Sequence, residues 1–118
     1  MCDVFFYQDK RGKEPVWDYI ESLINRGDKD SRIKATKIRD YIKYLRQEGM
    51  RAGEPSVKNL GDGIYELRPL RDRILYAAWD GNSFILLQHF MKKTNKTPIL
   101  EIEQAKRNLE DYTRRHSI

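Results

Sequence analysis

Arg68 and Arg73 flank the tetrapeptide Pro69-Leu70-Arg71-Asp72. If those four residues form a loop between antiparallel strands, Arg68 lies opposite Arg73 and both guanidinium groups share one face. Glu66 precedes Arg68 by one strand repeat and falls on that face too. A later run ends Gln88-His89-Phe90-Met91-Lys92-Lys93. Folding it back at Asp80-Gly81 or at Gly81-Asn82 adds Gln88, Phe90 and Lys92 to the same face. Like charges this close repel at about 1 kcal/mol per exposed pair, and an anion placed among them reverses that cost. Arginine offers forked, bidentate contact to phosphate oxygens, and an aromatic ring beside it offers a stacking surface for a base. The chemistry these residue types suit is recognition or cleavage of a phosphate ester.

The elements that must position this face read as follows. Asp3 to Tyr7 is a short apolar run, a first strand. Pro15 suits the first turn of a helix because its missing N–H has no partner there anyway. Val16, Trp17, Ile20, Leu23 and Ile24 recur at helical spacing, and Gly27 ends the helix. A second helix begins near Asp30 or Ser31, carries Ala35, Ile38, Tyr41, Ile42 and Leu45 on one face, and stops at Gly49. The short polar link predicts an antiparallel helix pair. Arg51 to Val57 reads as a loop.

Three strands follow, about Ile64 to Arg68, Arg73 to Trp79 and Ser83 to Met91, the last two joined by a hairpin at Asp80-Gly81-Asn82. Pro98 opens a final helix with the stripe Ile102, Ala105, Leu109 and Tyr112. The order β-α-α-β-β-β-α predicts an α+β domain spanning residues 1–118, with a mainly antiparallel sheet, two N-terminal helices on one face and a C-terminal helix. In this register Leu67 pairs with Ile74 and Tyr65 with Tyr76 on the core side. Arg73, Leu75 and Ala77 share a face with Phe84, Leu86, Gln88, Phe90 and Lys92. Ile74 and Tyr76 share theirs with Ile85, Leu87, His89, Met91 and Lys93.

Composition narrows the class. The chain has 118 residues, 23 Lys+Arg against 18 Asp+Glu, and a net charge of +5. A basic excess of this size favours an anionic partner, and its placement matters more than its total. One cysteine, Cys2, excludes an intrachain disulfide or a thiolate cluster, and two histidines are too few for a zinc site without carboxylate help. No metal and no cofactor are expected. With no signal pattern and no membrane-length apolar run, a soluble, cytoplasmic protein is expected.

Taken together, Gly61-Asp62-Gly63-Ile64-Tyr65-Glu66-Leu67-Arg68, Arg73-Ile74-Leu75-Tyr76, His89-Phe90-Met91-Lys92-Lys93-Thr94, Pro98, and Glu101 through Ala105 resemble the RelE/HigB superfamily of toxins, closest to its phage-derived HigB-like branch. The resemblance implies a RelE-like fold and the toxin of a type II toxin–antitoxin pair, an mRNA interferase acting on the ribosome without a metal. It implies as partners a cognate helix-turn-helix antitoxin, mRNA on the ribosome, and operator DNA reached through the antitoxin. Catalytic roles fall on Arg68, Arg73, Lys92 and Lys93, with Glu66 a rival base. RNA contacts are expected from Lys58, Arg71, Gln88, Phe90 and Lys96. Phe90 stands near the position where some relatives carry a tyrosine, so a phenolic hydroxyl is missing there.

RNA brings its own nucleophile, the 2′-OH beside the scissile phosphate. Arg73 and Arg68 would stabilise the phosphorane, a role in which each fixed donor contributes about 3–4 kcal/mol. A lysine crowded by other cations gives up its proton more readily, which makes Lys92 or Lys93 a candidate acid or base. The products would be a 2′,3′-cyclic phosphate and a 5′-OH. The plainer alternatives are a solvated rim in which Arg68 and Arg73 pair with Glu66 and Asp72, an inward-facing structural His89, an inert His116, and Glu101 and Glu103 as dipole-offsetting acids. On those terms the chain would be a non-enzymatic nucleic-acid- or partner-binding protein of the same fold.

Overall fold

The computed structural model describes residues 1–116. Five strands and three helices form around one sheet: β1 (Asp3–Phe6), α1 (Pro15–Arg26), α2 (Lys29–Glu48), β2 (Val57–Gly61), β3 (Ile64–Leu67), β4 (Asp72–Trp79), β5 (Ser83–Met91) and α3 (Ile99–His116). The sheet order is β1-β5-β4-β3-β2, with β1 parallel to β5 and every other pair antiparallel. The α+β class and the mainly antiparallel sheet agree with the reading of the sequence. No helix among the described residues is long and apolar enough to cross a membrane.

Local chemistry accounts for the helix ends. Pro15 occupies the first turn of α1, and Gly27 terminates it at φ +70°, a left-handed conformation open to glycine. The start of α2 lies earlier than Asp30. Asp28 caps it, its carboxylate accepting from the Ser31 N–H at 3.1 Å and from the Ser31 hydroxyl at 2.7 Å.

One strand was not legible in the sequence. The loop read from the sequence ends at Val57, and residues 58–61 have no element assigned to them, because Lys58, Asn59 and Gly61 are poor strand formers. Val57–Gly61 becomes β2 through pairing with β3, which sets Val57 opposite Leu67 and Lys58 opposite Glu66.

Both faces of the sheet are covered. On one, Leu67, Ile74, Tyr76, Phe84 and Leu86 pack with Val16, Ile20, Leu23, Ile38 and Leu45 of the α1–α2 hairpin. On the other, Ile64, Leu75, Ala77, Ile85 and Leu87 pack with Tyr7 and Ala105, flanked by Ile102, Leu109 and Tyr112 of α3. The apolar face of Tyr65 and Tyr76 is therefore one of two core sides.

The β3–β4 register is the expected one, with Tyr65 opposite Tyr76 and Leu67 opposite Ile74. The β4–β5 register is not a simple two-residue hairpin. Trp79 pairs with Ser83, so three residues turn the chain, with Asp80 at φ +51° and Gly81 at φ +79°. A bulge between the Tyr76–Leu86 and Leu75–Gln88 pairs then adds one residue to β5. The two irregularities cancel beyond Leu87. Arg73 consequently meets Phe90 and Ile74 meets His89, as a two-residue turn at Gly81-Asn82 would place them. Between turn and bulge the assignment is reversed: Phe84 and Leu86 lie with Tyr76, and Ile85 and Leu87 with Leu75 and Ala77. Each of these apolar residues is buried by the helix on its own side, so the bulge satisfies both cores.

Candidate functional site

At one end of the α3 side of the sheet, four strands and a connecting segment form a cleft of about 280 Å³. Lys58 enters from β2, Glu66 from β3, Arg73 from β4 and Phe90 from β5, while Arg68 lies just past β3. Lys92, Thr94, Asn95, Lys96 and Thr97 come from the stretch between β5 and α3. Five cations, Lys58, Arg68, Arg73, Lys92 and Lys96, thus surround one carboxylate.

That carboxylate is the organising group. Glu66 is 1% exposed, and both of its oxygens are engaged. Oε1 accepts from Arg68 Nε at 2.9 Å and Oε2 from the Thr97 hydroxyl at 2.6 Å. A buried charge is tolerated only with such partners. Arg68 is accordingly held by Glu66, as the plainer reading of the sequence had it.

Arg73 behaves differently. Its Nη1 donates to the backbone carbonyls of Leu70 at 2.9 Å and Asp72 at 2.8 Å, and it touches no carboxylate. Among the described residues it engages the protein through Nη1 alone, which leaves its other N–H groups for a ligand. Burial lowers its proton affinity, and Glu66 opposes that effect. Leu70 stands at φ +56°, a left-handed conformation unusual for a bulky side chain. The same turn also grips the next strand: Lys92 N–H donates to Arg71 O at 2.8 Å, and Arg71 Nη2 returns a bond to Lys92 O at 3.1 Å.

Of the residues singled out from sequence, the cleft gathers Lys58, Glu66, Arg68, Arg73, Phe90, Lys92 and Lys96. Lys93 and Arg71 are exposed and lie outside the lining. Gln88 shares the face but is tied to Glu101 Oε1 of α3 at 3.0 Å. Thr94, Asn95 and Thr97 line the cleft and were not singled out. A polar connection between strand and helix beside a charged pair is the signal that points to them.

The opposite face of the same sheet end carries a second polar group. Asp72 is fully buried, and its Oδ1 accepts from Tyr19 Oη at 2.7 Å, with His89 Nε2 at 2.9 Å and Lys34 Nζ at 3.7 Å. Its Oδ2 has no partner among the described residues. Tyr19 stacks on His89 with ring centroids 3.5 Å apart. Burial alone would raise the Asp72 pKa, but the bonds from His89 and Tyr19 and the Lys34 charge outweigh it, and the carboxyl titrates below its ordinary value. Burial and the Asp72 bond push the Tyr19 hydroxyl well up. His89 faces the helices and not the cleft, which agrees with its inward register.

Comparison with family models places residues 26–110 in one described as phage derived protein Gp49-like (DUF891). The chain belongs to that family. Gp49-like proteins are a RelE-like toxin family associated with toxin–antitoxin systems, which implies an antitoxin as partner. The matched span takes in α2, all of β2 to β5 and most of α3, and so the whole cleft. No curated protein matches this sequence.

Proposed function

We propose that this Gp49-like chain is a type II toxin of the HigB-like branch that cleaves mRNA on the ribosome, in the cytoplasm and without a metal ion. One observation carries the reading: five cations converge on a single cleft whose only carboxylate is already neutralised from within. Such a cleft has an unmet demand for negative charge, and RNA phosphate supplies it.

In this scheme the 2′-OH attacks the adjacent phosphorus and the 5′-oxygen leaves, giving a 2′,3′-cyclic phosphate and a 5′-OH. Arg73 and Arg68 donate to the non-bridging oxygens as their charge grows, an effect worth about 3 kcal/mol per well-placed donor. Phe90 stacks on a neighbouring base, and Lys58 and Lys96 hold flanking phosphates. Lys92 is the proton carrier of choice, because Lys93 lies outside the lining. Glu66 serves as the brace of Arg68, since both of its oxygens accept from the protein. A helix-turn-helix antitoxin would hold the toxin in check and tie it to operator DNA.

A second reading rests on the same brace. The cleft lining has no histidine, no tyrosine and no unoccupied carboxylate, a composition that also suits a protein that binds RNA without cutting it. Inducible expression with and without Arg73→Ala, followed by mapping of new 5′ ends on cellular mRNA, separates the two. Cuts in translated frames that vanish in the variant support the nuclease. A folded, abundant wild type that yields no new ends and no growth arrest removes it and leaves the binder.

A further inference from the structure

Asp72 is an expensive residue to keep. Its carboxylate is buried, one oxygen is unpartnered, and it sits beside the apolar core that the helical hairpin packs on this face. Replacing a whole buried ionic network by well-packed apolar side chains is often neutral or stabilising, so stability alone does not account for it.

Its position suggests what does. Asp72 closes the Pro69–Asp72 turn, its N–H donating to Pro69 O at 3.0 Å. The turn contains Leu70 in the left-handed region, so its shape is imposed and not intrinsic. The imposed shape has two outputs in the cleft. Leu70 O and Asp72 O both accept from Arg73 Nη1, which aims the guanidinium. Arg71 exchanges two hydrogen bonds with Lys92, which fixes the start of the cleft's connecting segment. On the other side of the sheet the Asp72 side chain is grasped by α1 through Tyr19, by α2 through Lys34 and by β5 through His89.

We infer that Asp72 is a positioning residue: anchored by Tyr19, His89 and Lys34 beneath the helical hairpin, it locks the turn whose carbonyls orient Arg73 and whose Arg71 secures Lys92 on the opposite face. The catalytic consequence rests on the nuclease reading above; the geometric one does not. A misplacement of about 1 Å at a reacting group is enough to cost about 10²-fold in rate.

The test uses Asp72→Asn, which keeps size and polarity, alongside Tyr19→Phe, which removes one anchoring bond. Single-turnover cleavage of mRNA on programmed ribosomes should fall by about 10- to 100-fold in Asp72→Asn with RNA affinity nearly unchanged. The double variant with Arg73→Ala should lose less than the two single losses combined, because part of the anchor's effect runs through Arg73. Additive losses, or a wild-type rate in both anchor variants, would overturn the inference.

A second readout is independent of cleavage. In side-chain ¹⁵N NMR, the Arg73 guanidinium should be ordered and slow to exchange in the wild type. In Asp72→Asn and Tyr19→Phe it should become averaged while core amides stay protected. An unchanged Arg73 signal rejects the positioning role. If the wild type cuts no RNA, the nuclease proposal fails alone and this measurement still decides the role of Asp72.

Discussion

Glu66 and Thr97, separated by 31 positions, are joined by a 2.6 Å hydrogen bond that ties β3 to the segment leading into α3. With Arg68 on its other oxygen, the Glu66 carboxylate is the point where three parts of the cleft meet.

Thr97→Val tests that joint. It keeps shape but leaves one oxygen of a buried carboxylate without a donor, a loss of about 1–3 kcal/mol. Denaturant titration should show a lower midpoint at unchanged slope. RNA binding should weaken as well, because the 92–97 segment loses its tether. A variant as stable as the wild type would mean that the bond is replaced by water at no cost.

Leu70 offers a test of imposed backbone geometry. Its side chain is half exposed, so little packing is at stake, while its φ of +56° opposes any side chain with a Cβ. Leu70→Gly should raise the unfolding free energy by up to about 1 kcal/mol, and Leu70→Val should lower it by a similar amount. The same sign for both substitutions would show that the turn relaxes to another conformation.

Asp72 predicts a pH dependence. Its folded-state pKa lies below the ordinary 3.8. Below 3.8 the unfolded chain therefore binds a proton that the folded chain does not. The stabilisation is complete above 3.8 and is lost as pH falls through the folded value. Asp72→Asn cannot titrate, so its stability should decline less steeply than that of the wild type over this acid window. Asp28, Asp62 and Asp111, also lowered by their hydrogen-bond donors, remain in both proteins and cancel in the comparison. Parallel acid-unfolding curves for the two proteins would contradict the assignment.

Salt should expose the electrostatic part of RNA binding. Each phosphate contact to a single strand adds about 0.7 to the slope of log affinity against log salt. Lys58→Ala and Lys96→Ala should each reduce that slope by about this amount. Lys93→Ala, outside the lining, should leave it unchanged. An effect of Lys93 equal to that of Lys58 would place the RNA path elsewhere.

Much was legible in the residues themselves. Helical periodicity marked α1, α2 and α3 with their inner stripes, except that Ile24 of α1 is exposed, and the spacing of Arg68 and Arg73 around a four-residue loop put Tyr65 opposite Tyr76 and Leu67 opposite Ile74. These features depend on local propensity and on the strict alternation of a strand, which a sequence carries in every short window. The family resemblance drew on the same residues and pointed to RelE-like toxins.

Tertiary structure alone decided the rest. Val57–Gly61 is a strand only because β3 offers it a ladder. The β5 bulge that turns Ile85 and Leu87 toward α3 answers to two cores at once, and no local signal encodes that demand. Nor does spacing reveal that Thr97 claims the second oxygen of Glu66, that Gln88 is drawn off by Glu101, or that Asp72 is gripped by Tyr19, His89 and Lys34. Those outcomes depend on which distant groups arrive within hydrogen-bond reach. That is settled by the packing of both helical layers on the sheet.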